Sequence, residues 1–477
     1  PAAALSAQAR YDVVQSSGMV VTFPWLPLLW SAGFFAVAGA NAWRLIRPPP
    51  DLIAGGSPLA AAAAVPLHAT LAIVASAWFL LGEDHPAGLN IYLDKLTEQS
   101  GLYIQVGLYV WAGMLLKNTR IASRAFDVLR PWNLPAEILA AVVVVCSSVP
   151  VAYSGASGIF VIAAGSTIYA ELRRAGARNQ LALAATAMSG SLGVVLSPCL
   201  LVVVVAALNK SVTSDVLYEV GRAVFLLTAA LFVGTMVARR QEPWRLLSVE
   251  QAWAGSQKAL VGLAGYAAIL VGVIVVYGLA LGTWIDDHSA PVILLVAMLG
   301  MMLYEQVADR DPTFPRLAAS TEETTSHIGA LLTLMAFSVG FGGVIERSEL
   351  MSLVPSDLGG PLPAMCLLVV ALVIIGMLME PYGAVILVSA TLAHVAEQNG
   401  IHPAHFWMTV LVAFELGYLT PPVALNQLLT TAVVGRDAEI DDLPRNASFL
   451  DRYERYLLPV GVMGTALLIV AFGPLLS

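Results

Sequence analysis

Residues 376–392 read GMLMEPYGAVILVSATL, and the five residues MEPYG (379–383) interrupt an apolar run that extends from 362 to 396. Hydrocarbon offers a freed N–H or C=O no partner, so a break at membrane depth must be buried in protein or line a wet cavity. A carboxylate there is costly and marks function by default. Glu380, Pro381 and Gly383 therefore predict an unwound point placed on purpose inside a membrane protein.

The composition agrees. The chain has 477 residues, of which 58% are hydrophobic and 12% charged, and its mean hydropathy is +0.79. These values belong to a polytopic membrane protein rather than a soluble enzyme. A spanning helix needs about 20 apolar residues. On that basis spans are expected near 24–43, 60–81, 101–116, 181–208, 218–237, 258–282, 290–304, 325–344, 405–433 and 456–475. The stretches 135–170 and 362–396 behave differently.

Basic residues cluster in RLIRPPP (44–50), KNTRIASRAFDVLR (117–130), ELRRAGAR (171–178) and ARRQEPWR (238–245). The positive-inside rule places these loops in the cytoplasm. GEDHPAGLNIYLDKLTEQ (82–99) and TWIDDHSA (283–290) are acidic or neutral and are expected outside. Because basic loops flank 135–170 on both sides, that stretch must enter and leave on the same face. Its middle, YSGASG (153–158), suits the tip of a re-entrant helical hairpin. Continuing the alternation makes 362–396 a second hairpin, entering from the opposite face, with MEPYG at its tip.

Each hairpin precedes a second interrupted segment: SLGVVLSPCLLVVVV (191–205) and ELGYLTPPVALNQLL (415–429). Gly155 and Pro198 are 43 residues apart, Pro381 and Pro422 41. Two halves of the chain thus repeat hairpin, loop and broken span with inverted topology. Interrupted apolar segments at matching positions in two halves point to a midplane binding site. A lone proline kink would need no such register.

Helix N-termini at such breaks attract anions, while freed carbonyls and hydroxyls suit small cations. Candidate substrate ligands are Ser154, Gly155, Ala156, Ser157 and Gly158 at the first tip, Tyr382 and Gly383 at the second, and Asn426 beyond the second break. Candidate cation ligands are Ser154, Ser157, Ser197, Pro198, Glu380, Glu415, Thr420 and Pro421, with Ser197 and Pro198 expected to face the first tip. Glu380 and Glu415 are each able to bind a cation directly or to carry a proton. A sodium ion suits these positions; no transition-metal site is indicated.

Other chemistries lack their signatures. Cys146, Cys199 and Cys366 lie in apolar segments without CxxC spacing and read as packing residues. His288, His394, His402 and His405 lie near span ends or loops, as interface histidines do. HExxH, GxxxxGK[ST] and GxSxG are missing. The net charge of −8 is scattered, with no basic patch interleaved with aromatics to suggest nucleic acid. Residues 1–23 lack the pattern of a secretory signal, so targeting is expected from the spans.

At these residues the chain resembles the large membrane subunit of the TRAP (tripartite ATP-independent periplasmic) transporters. The similar stretches are GMLLKNTRIASRAFDVLRPW (113–132), YSGASG, MSGSLGVVLSPCLL (188–201), GMLMEPYGAVILVSATL and NGIHPAHFWMTVLVAFELGYLTPPVALNQLL (399–429). The resemblance implies an all-α elevator-type transporter of the ion transporter superfamily. In that fold a scaffold of spanning helices surrounds a mobile domain holding two re-entrant hairpins and two broken helices. It also implies sodium-driven uptake of an organic anion across a bacterial inner membrane. The implied partners are a periplasmic substrate-binding protein and a small four-helix membrane subunit, with no cofactor beyond the coupling ion. The chain departs from the family pattern at Ala156 and Cys199, where hydroxyls are usual, at Glu380, usually aspartate, and at Glu415, usually uncharged. Proton coupling is the alternative those carboxylates raise, and the poor match of residues 1–100 raises a second, a carboxylate transporter of the same superfamily that works without a binding protein.

The expected organisation is an N-terminal scaffold or partner-contact region (1–100), a first inverted repeat (101–240), connecting scaffold helices (241–316) and a second repeat (317–477). Small residues in ATAMSGSLG (185–193) and FSVGFGGV (337–344) are expected to ease sliding at the seam between moving parts. Two other classes compete: a membrane enzyme using Glu380 and Glu415 as an acid–base pair, and a non-transporting scaffold or receptor.

Overall fold

The computed structural model describes residues 1–18, 23–48, 57, 65, 67–98, 100–154, 157–241, 248–282, 284, 289–309, 313–348, 358–379, 381–421, 424–440, 442–443 and 447–476. Among these residues the regular structure is helical throughout, with no strand. Seven of the helices are long and apolar enough to cross a bilayer: Leu26–Ile46, Ala136–Tyr153, Ser214–Ala238, Val249–Leu281, Ala290–Val307, Pro361–Leu378 and Glu454–Leu476. A further apolar segment is bent by 44°, between Asn179–Val195 and Leu200–Leu208. This is the interruption expected at Pro198. The second interruption also falls where expected, with helix Pro403–Leu419 ending before the prolines and Leu425–Val434 starting beyond them.

Two helices arise where the sequence suggested none. Ala2–Ser17 closes on Gly18 in the left-handed region, and Gly88–Glu98 occupies most of the acidic loop 82–99. The second pays for its polar residues by packing Leu89, Tyr92 and Leu93 inward.

The chain divides into two units. The first comprises 1–103, 329–356 and 382–394. Its core gathers Phe79, Leu89, Leu93, Phe337 and Val344, with the Phe79 and Tyr92 rings stacked at 5.7 Å. The glycines of FSVGFGGV make this packing possible, since a Cβ on Gly343 would fall 2.5 Å from the Tyr92 ring. Here they seat a neighbouring helix inside one unit.

The second unit comprises 104–328, 357–381 and 395–477. At its centre Pro403–Leu419 is buried over nearly its whole length and packs on Pro361–Leu378 and Glu454–Leu476. Gly376 and Gly417 bring two of these helices into backbone contact, because a Cβ on Gly417 would lie 2.6 Å from the Gly376 carbonyl carbon. Ser248 caps Val249–Leu281 at one end and Gly282, at φ 69°, closes it at the other. At the basic end Arg178 and Arg239 converge on the buried Glu454, with Asp451 paired to Arg239. One face of the unit is thus tied by charge and the interior by close apolar packing.

Of the three cysteines, Cys199 is buried and packs as expected. Cys146 and Cys366 are exposed: the apolar helices that carry them turn those positions outward.

Candidate binding site at the first hairpin and the two breaks

The first hairpin is built from Ala136–Ser154 and Ser157–Arg174, packed on each other. Gly155, Ala156 and the side chain of Ser154 lie outside the described residues, while Ser157 opens the second arm and is buried. The first broken segment nests against this end by glycine. A Cβ on Gly190 would fall 2.3 Å from the Ser157 carbonyl oxygen, and one on Gly193 2.3 Å from that of Ser148. Only a residue without a side chain fits at either place. ATAMSGSLG therefore packs against the hairpin tip inside one unit.

The second broken segment arrives from the other half of the chain. Leu425–Val434 packs along the hairpin's second arm, Leu429 against Gly158 and Val433 against Gly165. That order makes the two helices parallel, with both N-termini at the same end. Ala424, the residue before the second helix, is held at φ 46°, a conformation costly for a side chain and typical of functional sites.

Between these ends sit four polar side chains, each almost wholly enclosed: Ser157, Ser191, Glu415 and Asn426. The Glu415 carboxylate lies beside the Ser191 and Ser157 hydroxyls, and its Oε2 has no partner. Asn426 Nδ2 donates a long bond of 3.5 Å to Ser191 Oγ, and its Oδ1 also lacks a partner. Buried polar atoms are nearly always satisfied, so two unmet acceptors around one serine ask for a donor or a cation. Two aligned helix N-termini at the same place favour an anion.

Of the residues expected from the sequence, Ser157, Gly158, Glu415 and Asn426 come together. Ser197 is exposed, and the Pro198 carbonyl accepts from Tyr109 Oη at 3.3 Å, so the break meets the tip through Ser191. Thr420 turns its hydroxyl back to the Leu416 carbonyl at 2.6 Å, and Pro421 is exposed. Glu380 lies outside the described residues; Tyr382 and Gly383 are buried in the helix Pro381–Ala390 of the first unit. Ser191 is the residue the sequence reading passed over. Its signal was position, the second serine of SGSLG on the approach to the break.

The histidines are structural where described: His402 caps Pro403–Leu419, the His405 ring bonds the Val470 and Ala471 carbonyls, and His394 is exposed. His288 lies outside the described residues. Among the described residues no three His, Cys, Asp or Glu side chains cluster as a metal site would require.

A multi-pass helical membrane protein with interrupted helices converging on enclosed polar groups has the architecture of a transporter. The family model described as the tripartite ATP-independent periplasmic transporter, DctM component, matches residues 59–476. The chain belongs to this family, the large permease subunits of the TRAP transporters, and is not an enzyme. It is 25% identical over 366 residues to the C4-dicarboxylate TRAP transporter large permease of Pseudomonas aeruginosa, covering 75% of this chain and 83% of that one. It is 24% identical to the sialic acid TRAP transporter large permease of Vibrio cholerae, covering 78% and 86%. With the isethionate TRAP transporter permease DctMQ of Oleidesulfovibrio alaskensis it shares 23% identity, over 72% of this chain and 53% of that one. Among solved structures, Neisseria gonorrhoeae MtrF, described within a class of antimetabolite efflux pumps, has a similar fold. The TM-score is 0.52 at 11% identity, over 82% of this chain and 85% of that one.

Proposed function

We propose that this chain imports a small organic anion across the bacterial inner membrane, driven by a cation gradient. The observation that carries the reading is the site itself: two parallel helix N-termini beside an enclosed carboxylate lined by serines. The N-termini favour the substrate's acid group, and Glu415 with Asn426 supplies oxygens for the coupling cation. Each charge lowers the cost of bringing the other out of water, which links the two binding events.

The relatives act on C4-dicarboxylates, sialic acid and isethionate, whose common feature is an acid group of the kind a helix N-terminus recognises. Sodium is the coupling ion the family resemblance implies. A proton is the second reading, favoured by the unmet Glu415 Oε2, which protonation would turn into a donor in a site where Asn426 Oδ1 is an unmet acceptor. Residues 135–170 and 362–396 act as re-entrant hairpins, and the tip-and-break domain slides as an elevator through a fixed scaffold. A periplasmic binding protein delivers substrate, and a small membrane subunit braces the scaffold.

The test is uptake into proteoliposomes holding the chain, its candidate small subunit and its candidate binding protein. Succinate, isethionate and sialic acid are offered in turn under an imposed sodium or proton gradient. Uptake of one of them under one gradient, strongly weakened in Glu415→Gln at the same cation concentration, is the expected result. No gradient-driven uptake of any of the three would sink the proposal.

A further inference from the structure

We propose that this protein holds one structural phospholipid, its acyl chain in an apolar crevice beside the first hairpin and its phosphate at the two arginines of the crevice mouth. The short helix Ile121–Leu129 is strongly two-faced. One side is fastened. Glu305 accepts from the Arg120 backbone N–H at 2.7 Å, Ser256 Oγ donates to the Val128 carbonyl at 2.7 Å, and Gly255 admits Pro131.

The opposite side, with Ala122, Ala125, Phe126 and Leu129, meets the hairpin without closing on it. Val143 and Cys146 of the first arm and Phe160 and Ile168 of the second form the far wall. The cavity between is about 230 Å³, far beyond the ~15 Å³ that one water requires. An apolar cavity does not hold ordered water, and voids of this size are few in packed proteins. In a membrane protein the abundant filler is an acyl chain.

The mouth names the kind of lipid. Phe126 and Leu129 line both the crevice and a polar opening at its end, where Arg130 and Arg174 flank the buried Glu171. The two arginines share that carboxylate, and Arg130 also pairs with Asp127, yet the arginine side chains remain 49% and 68% exposed. Guanidinium groups so placed present further N–H donors to a phosphate. Lys117, Arg120 and Arg124 belong to the same basic stretch of sequence as Arg130, of the charge that the cytoplasmic headgroup layer favours. A fatty acid or a detergent would fill the crevice and leave the mouth unused.

The test uses the full chain with Cys366→Ser, extracted from membranes of phosphatidylethanolamine and phosphatidylglycerol, washed in lipid-free detergent and examined by native mass spectrometry. One retained phospholipid per chain is expected, with Cys146 labelled by maleimide at least tenfold more slowly than after forced delipidation. Ala164→Trp, which fills the crevice from the hairpin side, should lose the lipid, and Arg174→Gln should lower its occupancy severalfold. If Ala164→Trp does not fold, Ala125→Leu fills the crevice from the other wall and serves instead. No retained mass, a retained detergent or fatty acid, or a phospholipid kept by the filled variant would each overturn the proposal. Succinate uptake plays no part, so the lipid site and the transport reading stand or fall separately.

Discussion

The first hairpin meets its surroundings on two unlike faces. Towards the broken helices it is tight and polar: Gly190 and Gly193 put backbone on backbone, and Ser157 shares enclosed hydroxyl and carboxylate chemistry with Ser191, Glu415 and Asn426. Towards Ile121–Leu129 it is loose and oily, with a crevice where side chains would otherwise interlock. Backbone contact fixes distances to tenths of an ångström, which recognition needs. Apolar surfaces held apart have no preferred register, which suits parts that shift or take up lipid. One element thus combines a precise face for binding with a permissive face for its setting.

The largest expected effect tests the polar face. Glu415→Gln keeps the shape of the side chain and removes its charge, so it deletes a charged ligand without opening a cavity. A hydrogen bond or ligand contact to a charged group is worth about 1.5–3 kcal/mol, so apparent affinity for the coupling cation should fall about 10–100-fold in flux titrations. Unchanged cation dependence would mean that the enclosed carboxylate is only structural.

Next comes the backbone contact. Gly190→Ala drives a methyl group into the Ser157 carbonyl, and overpacking of this kind costs about 1–3 kcal/mol. Ala164→Leu, on the crevice side of the same hairpin, should cost under ~1 kcal/mol because the added methyl groups enter the crevice rather than fixed backbone. Thermal unfolding of the two variants in one detergent measures the contrast. Equal losses would erase the distinction between the faces.

That distinction was only half legible in the sequence. The breaks at Pro198 and Pro421 and the mixed chemistry of YSGASG announce themselves, because proline, glycine and hydroxyl residues have few reasons to sit in oily runs. Glu415 and Asn426 could be named for the same reason. Ser191 could not, since one serine among small residues gives no sign that helix geometry will aim it at a carboxylate 224 positions away. The glycines of ATAMSGSLG were legible as close-approach residues but not by partner: a small side chain records that something comes near and not what. The crevice was invisible for a more basic reason. Helix 121–129 shows its apolar stripe plainly, yet a sequence cannot say whether such a stripe will be covered by protein.

The smallest expected effect concerns the polar tie across the loose face. Glu171 is buried, which works against its charge, but the Arg130 and Arg174 guanidinium groups outweigh burial and hold its carboxyl below the ordinary value. A carboxyl depressed on folding stabilises the folded state fully above its unfolded value. That contribution disappears as pH falls through the lower, folded value. Because both arginines are well exposed, the tie is worth about 1 kcal/mol or less. Melting temperature should therefore drop slightly more steeply on acidification in the native sequence than in Glu171→Gln, with the two curves converging at low pH. Parallel curves across that range would show that Glu171 has the same acidity folded and unfolded, and that apolar packing alone keeps the crevice walls together.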